Sequence, residues 1–386
     1  MKKTFVFKLY ISKKNKKLIE QIDVAALIYN HCIALHKRYF ALFGKHLNKY
    51  QLQKHLAKLK KANRYLHWRI VGSQAIQDIT DRIERGYQRF FAQTKKGKCY
   101  PPSFKKRSKY KSITLKQAGY KLLGGNKIRI GKESFKYSKS RELEGKIKTL
   151  TIKRDALGDI YLCFSCEIED VSPCRTMTGK IAGFDFGLKT FLTCSNGIKL
   201  DAPLFFKEGS KAVKKASRAL STKKRGSNNS KKARLNVAGK HKKIASRRRD
   251  YHVKLAQQLT QEYDHLFFED LHLKGMQRRW GRKISDLGFG CFLRYVEHYA
   301  YRNGAQVHYI ERFYPSSRTC HVCQNVFEEL SLKDRDWRCT RCDTLHDRDV
   351  NAAINIKIVG ASTIGLGGVR PMYIGDRCSN PESNAL

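Results

Sequence analysis

Negative charge is what this chain has least of. Asp and Glu together number 33 against 79 Lys and Arg, which leaves a formal net charge of +46 over 386 residues. Such self-repulsion is relieved only by a strongly anionic partner, for which nucleic acid is the first candidate and a membrane surface the second. The membrane is disfavoured on sequence, because no stretch approaches the roughly 18 apolar residues that a spanning helix requires. Proline is scarce as well, with 7 in all and none between residues 14 and 97, so nothing there interrupts a helical pattern. An export signal is also not expected from the opening residues. The opening MKKTFVFKLYIS is broken by Lys8, and Phe5, Phe7 and Leu9 alternate with Val6, Lys8 and Tyr10 as in a strand. The twelve cysteines are therefore expected to be reduced thiols or metal ligands in a cytoplasmic protein.

What is present divides the chain by pattern. Its length allows two or three domains, each with its own core. Residues 14–97 carry apolar side chains at helical spacing, among them Leu18, Ile22, Leu35, Tyr39, Ile76, Ile79, Ile83 and Tyr87. Gly97 and Pro101–Pro102 break that pattern. Between about 110 and 170 the signal changes to short strands separated by turns. From residue 180, KIAGFDFGLKTFLTCSNGIKL predicts three antiparallel strands in succession, with a hairpin turn at Asn196–Gly197. Residues 207–263 read as two basic helices joined at GSNNS. They are followed by a buried strand in HLFFED, a helix near 288–303 and a strand in QVHYIERF.

Four cysteines have the spacing of a metal site. Cys320 and Cys323, like Cys339 and Cys342, are separated by two residues, and fifteen residues lie between the pairs. Each close pair aims two thiolates at one ion, and four thiolates complete a structural zinc tetrahedron with no vertex left for water. His321 and His346 are possible substitute ligands. Cys163 and Cys166 repeat the close spacing, but in a strand residues three apart point to opposite faces and cannot chelate together.

Against the scarcity of acids, a few carboxylates stand in odd places. Asp185 sits in the apolar strand IAGFDFGL, Glu269 and Asp270 end the run HLFF, and Asp347 and Asp349 precede the amphipathic VNAAINI. Each alone reads as a turn residue, a strand-end charge or a helix cap. Together, acids on one strand, on a later strand end and at a helix start can converge at a sheet edge and hold two divalent ions. Carboxylates without histidines suit magnesium, and paired ions of this kind cleave phosphodiesters.

The set GFDFGLKTFLTCSNG, FFEDLHLKGM, PSSRTCHVCQ and CTRCDTLHDRDVNAAINI closely resembles the TnpB family, transposon-encoded RNA-guided DNA nucleases related to type V CRISPR effectors. The likeness runs from the PPSFKKR segment to about residue 358 and is weaker before it. It implies an α+β multidomain fold in which a RuvC-like, ribonuclease H-type nuclease domain (176–312 and 346–359) carries an inserted zinc ribbon (313–345). A β-rich wedge module (1–13 and 98–175) would be interrupted by a helical recognition module (14–97), and 360–386 would form a flexible tail. Matched motif by motif, the family's catalytic acids and magnesium ligands fall on Asp185, Glu269 and Asp349, with Asp347 as the fallback for the third. The implied cofactors are two Mg²⁺ and one structural Zn²⁺. One departure stands out: the glycine that commonly follows each cysteine pair is Gln324 in one knuckle and Asp343 in the other.

The partners implied are a guide RNA derived from the transposon end and a double-stranded DNA target next to a short flanking motif, with no membrane and a monomer favoured. Backbone contacts are expected from the basic helices at Lys223, Lys224, Arg225, Lys231, Lys232, Arg234, Arg247, Arg248 and Arg249, since phosphate binding is largely blind to sequence. The rival readings are a nuclease-silent guided repressor, a compact type V CRISPR effector and a strand-transfer transposase.

Overall fold

The structure, a computed structural model, describes residues 2–94, 100–169, 177–331 and 334–364. The breaker at Gly97, Cys99, Cys174 and Cys378, and the expected tail beyond residue 364 lie outside the described residues. By internal contacts the chain divides into two compact units, Met1–Asp170 and Val171–Leu386.

In the first unit, strand β1 (Lys2–Lys8) is followed by helices α1 (Asn15–Phe43), α2 (Lys49–Leu59) and α3 (Ser73–Thr94), then by β2 (Ser112–Leu115), β3 (Tyr120–Leu122), β4 (Lys127–Ile130), β5 (Glu133–Lys136), β6 (Lys146–Arg154) and β7 (Ile160–Glu167). The first strand pairs antiparallel with the last, in a sheet ordered β1-β7-β6-β2, while β3, β4 and β5 form a separate meander. Alternation drives β7: Ile160, Leu162, Phe164 and Cys166 are buried, and the residues between them are half-exposed. Cys163 and Cys166 accordingly point to opposite faces, as expected. One core runs through both kinds of element, from Phe5 and Phe164 in the sheet to Leu18, Ile22 and Ile79 in the helices. The helices therefore pack on the very strands that they separate in sequence.

Helix α1 differs from the sequence reading in one respect. Its length and composition would suffice to cross a membrane, although half of its most apolar window is buried within the protein. That apolar character serves the core, where Ile22, Ala25, Ile28, Cys32 and Ile33 are buried.

The second unit contains strands β8 (Ile181–Asp185), β9 (Thr190–Cys194) and β10 (Lys199–Asp201), helices α4 (Phe205–Ser221) and α5 (Asn228–Glu262), and β11 (His265–Glu269). Helices α6 (Leu273–Leu287) and α7 (Phe289–Asn303), then β12 (Gln306–Ile310), come next. The short pair β13 (Asp336–Arg338) and β14 (Leu345–Asp347) leads into α8 (Arg348–Ile364). The five-stranded sheet is ordered β10-β9-β8-β11-β12, antiparallel across its first three strands and parallel across β8, β11 and β12. The three successive antiparallel strands match the sequence reading. Helix α6 is new: Gly275, Gly281 and dense basic residues mask its periodicity, and Trp280 interrupts it with non-helical backbone angles. Helix α8 also reaches Ile364, past the expected start of the tail at residue 360.

One face of this sheet is packed by Phe184, Phe268, Phe289 and Phe292. The other face receives α8, and two glycines set how closely. A Cβ at Gly183 would collide with the Ala353 carbonyl and the Lys357 amide, and one at Gly360 with the Phe267 ring. Only hydrogen at both positions lets the helix lie directly on β8 and β11.

Candidate functional site

Strand register brings the first two acids together. In the parallel pairing, Phe268 lies opposite Phe184, and Glu269 and Asp185 each follow by one residue. Neighbouring strands are about 4.8 Å apart, so the two carboxylates leave the sheet side by side at the carboxyl ends of their strands. Because side chains alternate, Asp185 shares the face of Gly183, and Glu269 that of Phe267, which is the face covered by α8. The first turn of α8 supplies Asp349.

Electrostatics register this convergence. Burial, then the charge of Asp349, then that of Glu269 push the Asp185 carboxyl up to about 7. Burial and the neighbouring Asp270 push Glu269 up to about 7 as well. Acids in so basic a chain would ordinarily be held low by cations. These two are instead raised, Asp185 by burial and the charges of Asp349 and Glu269, and Glu269 by burial and Asp270, a condition that a bound dication would relieve.

The two aspartates at the start of α8 have different tasks. Asp347 is the helix N-cap: its Oδ1 accepts from the Val350 amide at 2.9 Å, and its other oxygen pairs with Lys199. Burial opposes ionisation there, but the Lys199 and Val350 hydrogen bonds keep its carboxyl below the ordinary value. Asp349 is free of capping. Its Oδ1 lies 3.3 Å from the guanidinium of Arg335, which reaches it from the segment just before β13. Asp270 is turned away from the others into an ion pair with Arg312, whose Nε also donates to the Asp270 carbonyl at 3.1 Å.

The four cysteines meet as expected. Their Sγ atoms all lie within 4.8 Å of one another, and they are the group of potential metal ligands drawn this tightly among the described residues. Cys320 and Cys342 are 3.6 Å apart, and Cys323 and Cys339 3.5 Å. Sulfur held about 2.3 Å from zinc in a tetrahedron has neighbours roughly 3.8 Å away, so the cage has the size of the ion. The hydroxyl and amide of Thr344 hold the Cys342 thiol down at about 6, which favours the thiolate. The histidines stand outside. His346 Nε2 is 3.1 Å from the Cys320 sulfur, and His321 is hydrogen-bonded to Asn351.

The two positions where glycine is missing are the two non-glycine residues with positive φ among the described residues, Gln324 at 60° and Asp343 at 56°. Each donates its amide back to the first cysteine of its pair, to the Cys320 carbonyl at 2.9 Å and the Cys339 carbonyl at 3.0 Å. The knuckle turn is therefore made with side chains that oppose it. Asp343 is partly compensated by Arg338, 2.8 Å from its carboxylate.

Two buried asparagines, which sequence reasoning did not assign, tie the knuckle to the helix that carries Asp349. Asn351 donates to the Thr319 carbonyl at 2.8 Å and accepts from the His321 amide at 3.1 Å, and Asn355 donates to the Ser316 carbonyl at 2.8 Å. Their only sequence signal is polarity on the inner face of an otherwise apolar helix.

Most of the expected backbone-contacting cations are exposed, including Lys223, Lys224, Arg225, Lys231, Lys232 and Arg234. Arg248 is half-buried, and its guanidinium donates to the Ser285 and Asp286 carbonyls at 2.7 and 3.0 Å at the end of α6. Arg247 also lies 3.2 Å from Glu208. Arg249 is exposed.

Comparison with known proteins places these features in company. Residues 163–279 match the family model described as a probable transposase, OrfB_IS605, and residues 289–356 match the Cas12f1-like TNB domain. A Streptomyces pristinaespiralis protein named "Putative RNA-guided DNA endonuclease" is 28% identical over 382 residues, spanning 96% of this chain and 92% of that protein. The Escherichia coli K12 protein named "Putative RNA-guided DNA endonuclease InsQ" is 25% identical, spanning 95% of each chain. Among solved structures, the Cas12f1 chain of a cryo-EM complex with sgRNA and target DNA aligns with a TM-score of 0.54 at 14% identity, covering 90% of this chain and 83% of that one. At that identity the likeness is one of fold.

Proposed function

We propose that the chain, whose matches are to the IS605 OrfB model, the Cas12f1-like TNB domain and proteins named RNA-guided DNA endonucleases, is a TnpB-type RNA-guided DNA endonuclease whose cutting site is built from Asp185, Glu269 and Asp349. The observation that carries this reading is the placement of three acids on two parallel strand ends and a helix start, where burial and the charges of Asp349 and Glu269 raise the Asp185 carboxyl. In a chain with a net charge of +46, acids that repel both each other and a phosphate backbone fit a site completed by metal.

The donor set is carboxylate oxygen throughout, which suits Mg²⁺. Asp185, Glu269 and Asp349 are the residues that would hold such ions. When bound, such ions polarise the phosphodiester and supply a hydroxide nucleophile near neutral pH. The chain's own contribution is positional. Strands β8 and β11 fix two carboxylates at neighbouring spacing, and the Asp347 cap and the Asn351 and Asn355 bonds fix the third against them. The thiolate cage acts through the same helix, since it holds the Ser316–Thr319 segment to which those asparagines bond. Arg335 keeps a cation on Asp349 while ions are absent and is placed to meet a phosphate when they are present.

Choice of site is assigned to base pairing with a guide RNA carrying transposon-end sequence, because cations such as Lys223 and Lys231 contact phosphates without reading bases. The test uses the purified protein with the RNA that copurifies. That RNA is sequenced, its guide segment is rewritten, and a plasmid bearing the matching site is supplied with magnesium. Linear product cut at the rewritten site is expected. Cutting that ignores the guide, or no copurifying RNA at all, would overturn the proposal.

A further inference from the structure

His346 is buried against the cysteine cage without being one of its ligands. Its Nε2 lies 3.1 Å from the Cys320 sulfur, whereas the group of potential ligand atoms within 4.8 Å of one another consists of the four cysteines among the described residues. The ring is held from two sides. Trp337 faces it across the pairing of β13 and β14, with centroids 4.6 Å apart, and the His321 ring meets it edge-on at 4.8 Å. Phe327 in turn stacks on Trp337 at 5.8 Å, so the imidazole has little freedom to turn away from sulfur.

A filled cage fixes the direction of the contact. Four thiolates around one dication leave about two excess negative charges on sulfur, and a metal-bound thiolate has no proton to give. The hydrogen in the contact must then sit on Nε2. The second ring nitrogen agrees, because Nδ1 is buried without a hydrogen-bond partner and a further proton there would leave a buried charge unpaired. Two other sulfurs have donors close in sequence, the Arg341 amide 3.4 Å from Cys339 and the Thr344 hydroxyl 3.2 Å from Cys342. Cys320 differs in having a side-chain donor 26 residues away.

That separation gives the contact its consequence. His346 directly precedes Asp347, whose Oδ1 caps α8 by accepting from the Val350 amide at 2.9 Å. The Arg348 amide donates to the Arg335 carbonyl at 2.7 Å, which closes the strand pair onto the start of the helix. We propose that His346 is a positioning residue that donates its Nε2 proton to the metal-bound Cys320 thiolate, and so fixes the first turn of α8 to the cage by a route separate from Asn351 and Asn355. Asp349 stands in that turn. Its catalytic role rests on the reading above, and the hydrogen bond itself does not.

The test loads the full-length protein, carrying isotope-labelled histidine, with NMR-active cadmium in the cage. His346 is assigned by the loss of its signal in His346→Gln. A slowly exchanging proton on Nε2 with a small coupling to cadmium is expected. An Nε2 without a proton, or the large one-bond coupling of a nitrogen bound directly to cadmium, would overturn the inference. With zinc in place, His346→Phe keeps a ring and removes the donor. It should weaken zinc binding by about ten- to a hundredfold and speed exchange of the Val350 amide by about tenfold. His346→Gln places an amide N–H near the same sulfur and should recover most of both losses. Recovery by Phe in place of Gln would reduce the residue to ring packing, and a wild-type Val350 amide in the Phe variant would separate the cage from the helix start. Either result overturns the proposal. None of these readouts uses magnesium, RNA or DNA, so their failure leaves the endonuclease reading standing, and a failure to cleave DNA leaves them standing.

Discussion

Replacing Asp185 by Asn should make the magnesium-free protein more stable at neutral pH, although it removes an acid on which cutting is proposed to depend. In the folded chain, burial and the charges of Asp349 and Glu269 raise this carboxyl from its ordinary value of 3.8 to about 7. The folded state therefore binds a proton more tightly than the unfolded state does, and stability falls as pH rises from about 4 through 7. Three units at about 1.36 kcal/mol each give roughly 4 kcal/mol at most, and partial solvation of the group reduces this to about 2–4 kcal/mol. Asn has the shape of Asp without the charge, so Asp185→Asn should gain that amount at pH 8 and less than about 1 kcal/mol at pH 4. Urea unfolding followed by hydrogen exchange of β8 and β11 reports this region alone. Magnesium-free buffer without chelator is required, so that the cysteine cage keeps its metal. Equal stability at pH 8, or a gain that does not shrink towards pH 4, would refute the claim that these carboxylates oppose one another.

Gln324→Gly and Asp343→Gly should each stabilise the zinc knuckles by about 1 kcal/mol, because both residues occupy the left-handed region. Slower zinc release to a colorimetric chelator would show it, with a smaller gain at 343, where the Arg338 ion pair is lost. Gly183→Ala should destabilise the second unit by about 2–3 kcal/mol, since the added carbon meets backbone of α8. Urea titration of that variant measures the loss, and a wild-type midpoint would contradict the packing described. Arg335→Ala, which leaves Asp349 unpaired, should tighten magnesium binding in the absence of DNA, as read by calorimetry. Weaker magnesium binding would mean that the guanidinium does not compete for that carboxylate.

The parts of the site that were legible in sequence are those set by local rules. Chelate spacing located Cys320, Cys323, Cys339 and Cys342, because two intervening residues fix a turn wherever the pair is found. The oddity of charge in apolar strands singled out Asp185 and Glu269 as candidates, since alternation made their strands readable. Spacing could not separate Asp347 from Asp349: both lie at a helix start, and the division between cap and convergent acid depends on Lys199, which is remote in sequence. Helix α6 escaped notice because its kink at Trp280 breaks the phase that marks a helix. The contribution of Arg248 to the end of α6 was invisible for a similar reason, since a basic run looks the same whether its charges face solvent or carbonyls. That helices and strands of the first unit share one core was not legible, because apolar faces record that something covers them and not what does.

The central claim is that residues 185, 269 and 349 jointly hold divalent ions. Crystals of the RNA-bound protein soaked in Mn²⁺, with anomalous differences measured at the manganese edge, test it most directly. Two peaks bounded by the carboxylates of Asp185, Glu269 and Asp349, and absent from Asp185→Asn, are predicted. Manganese bound elsewhere, with those three acids bare, would contradict it.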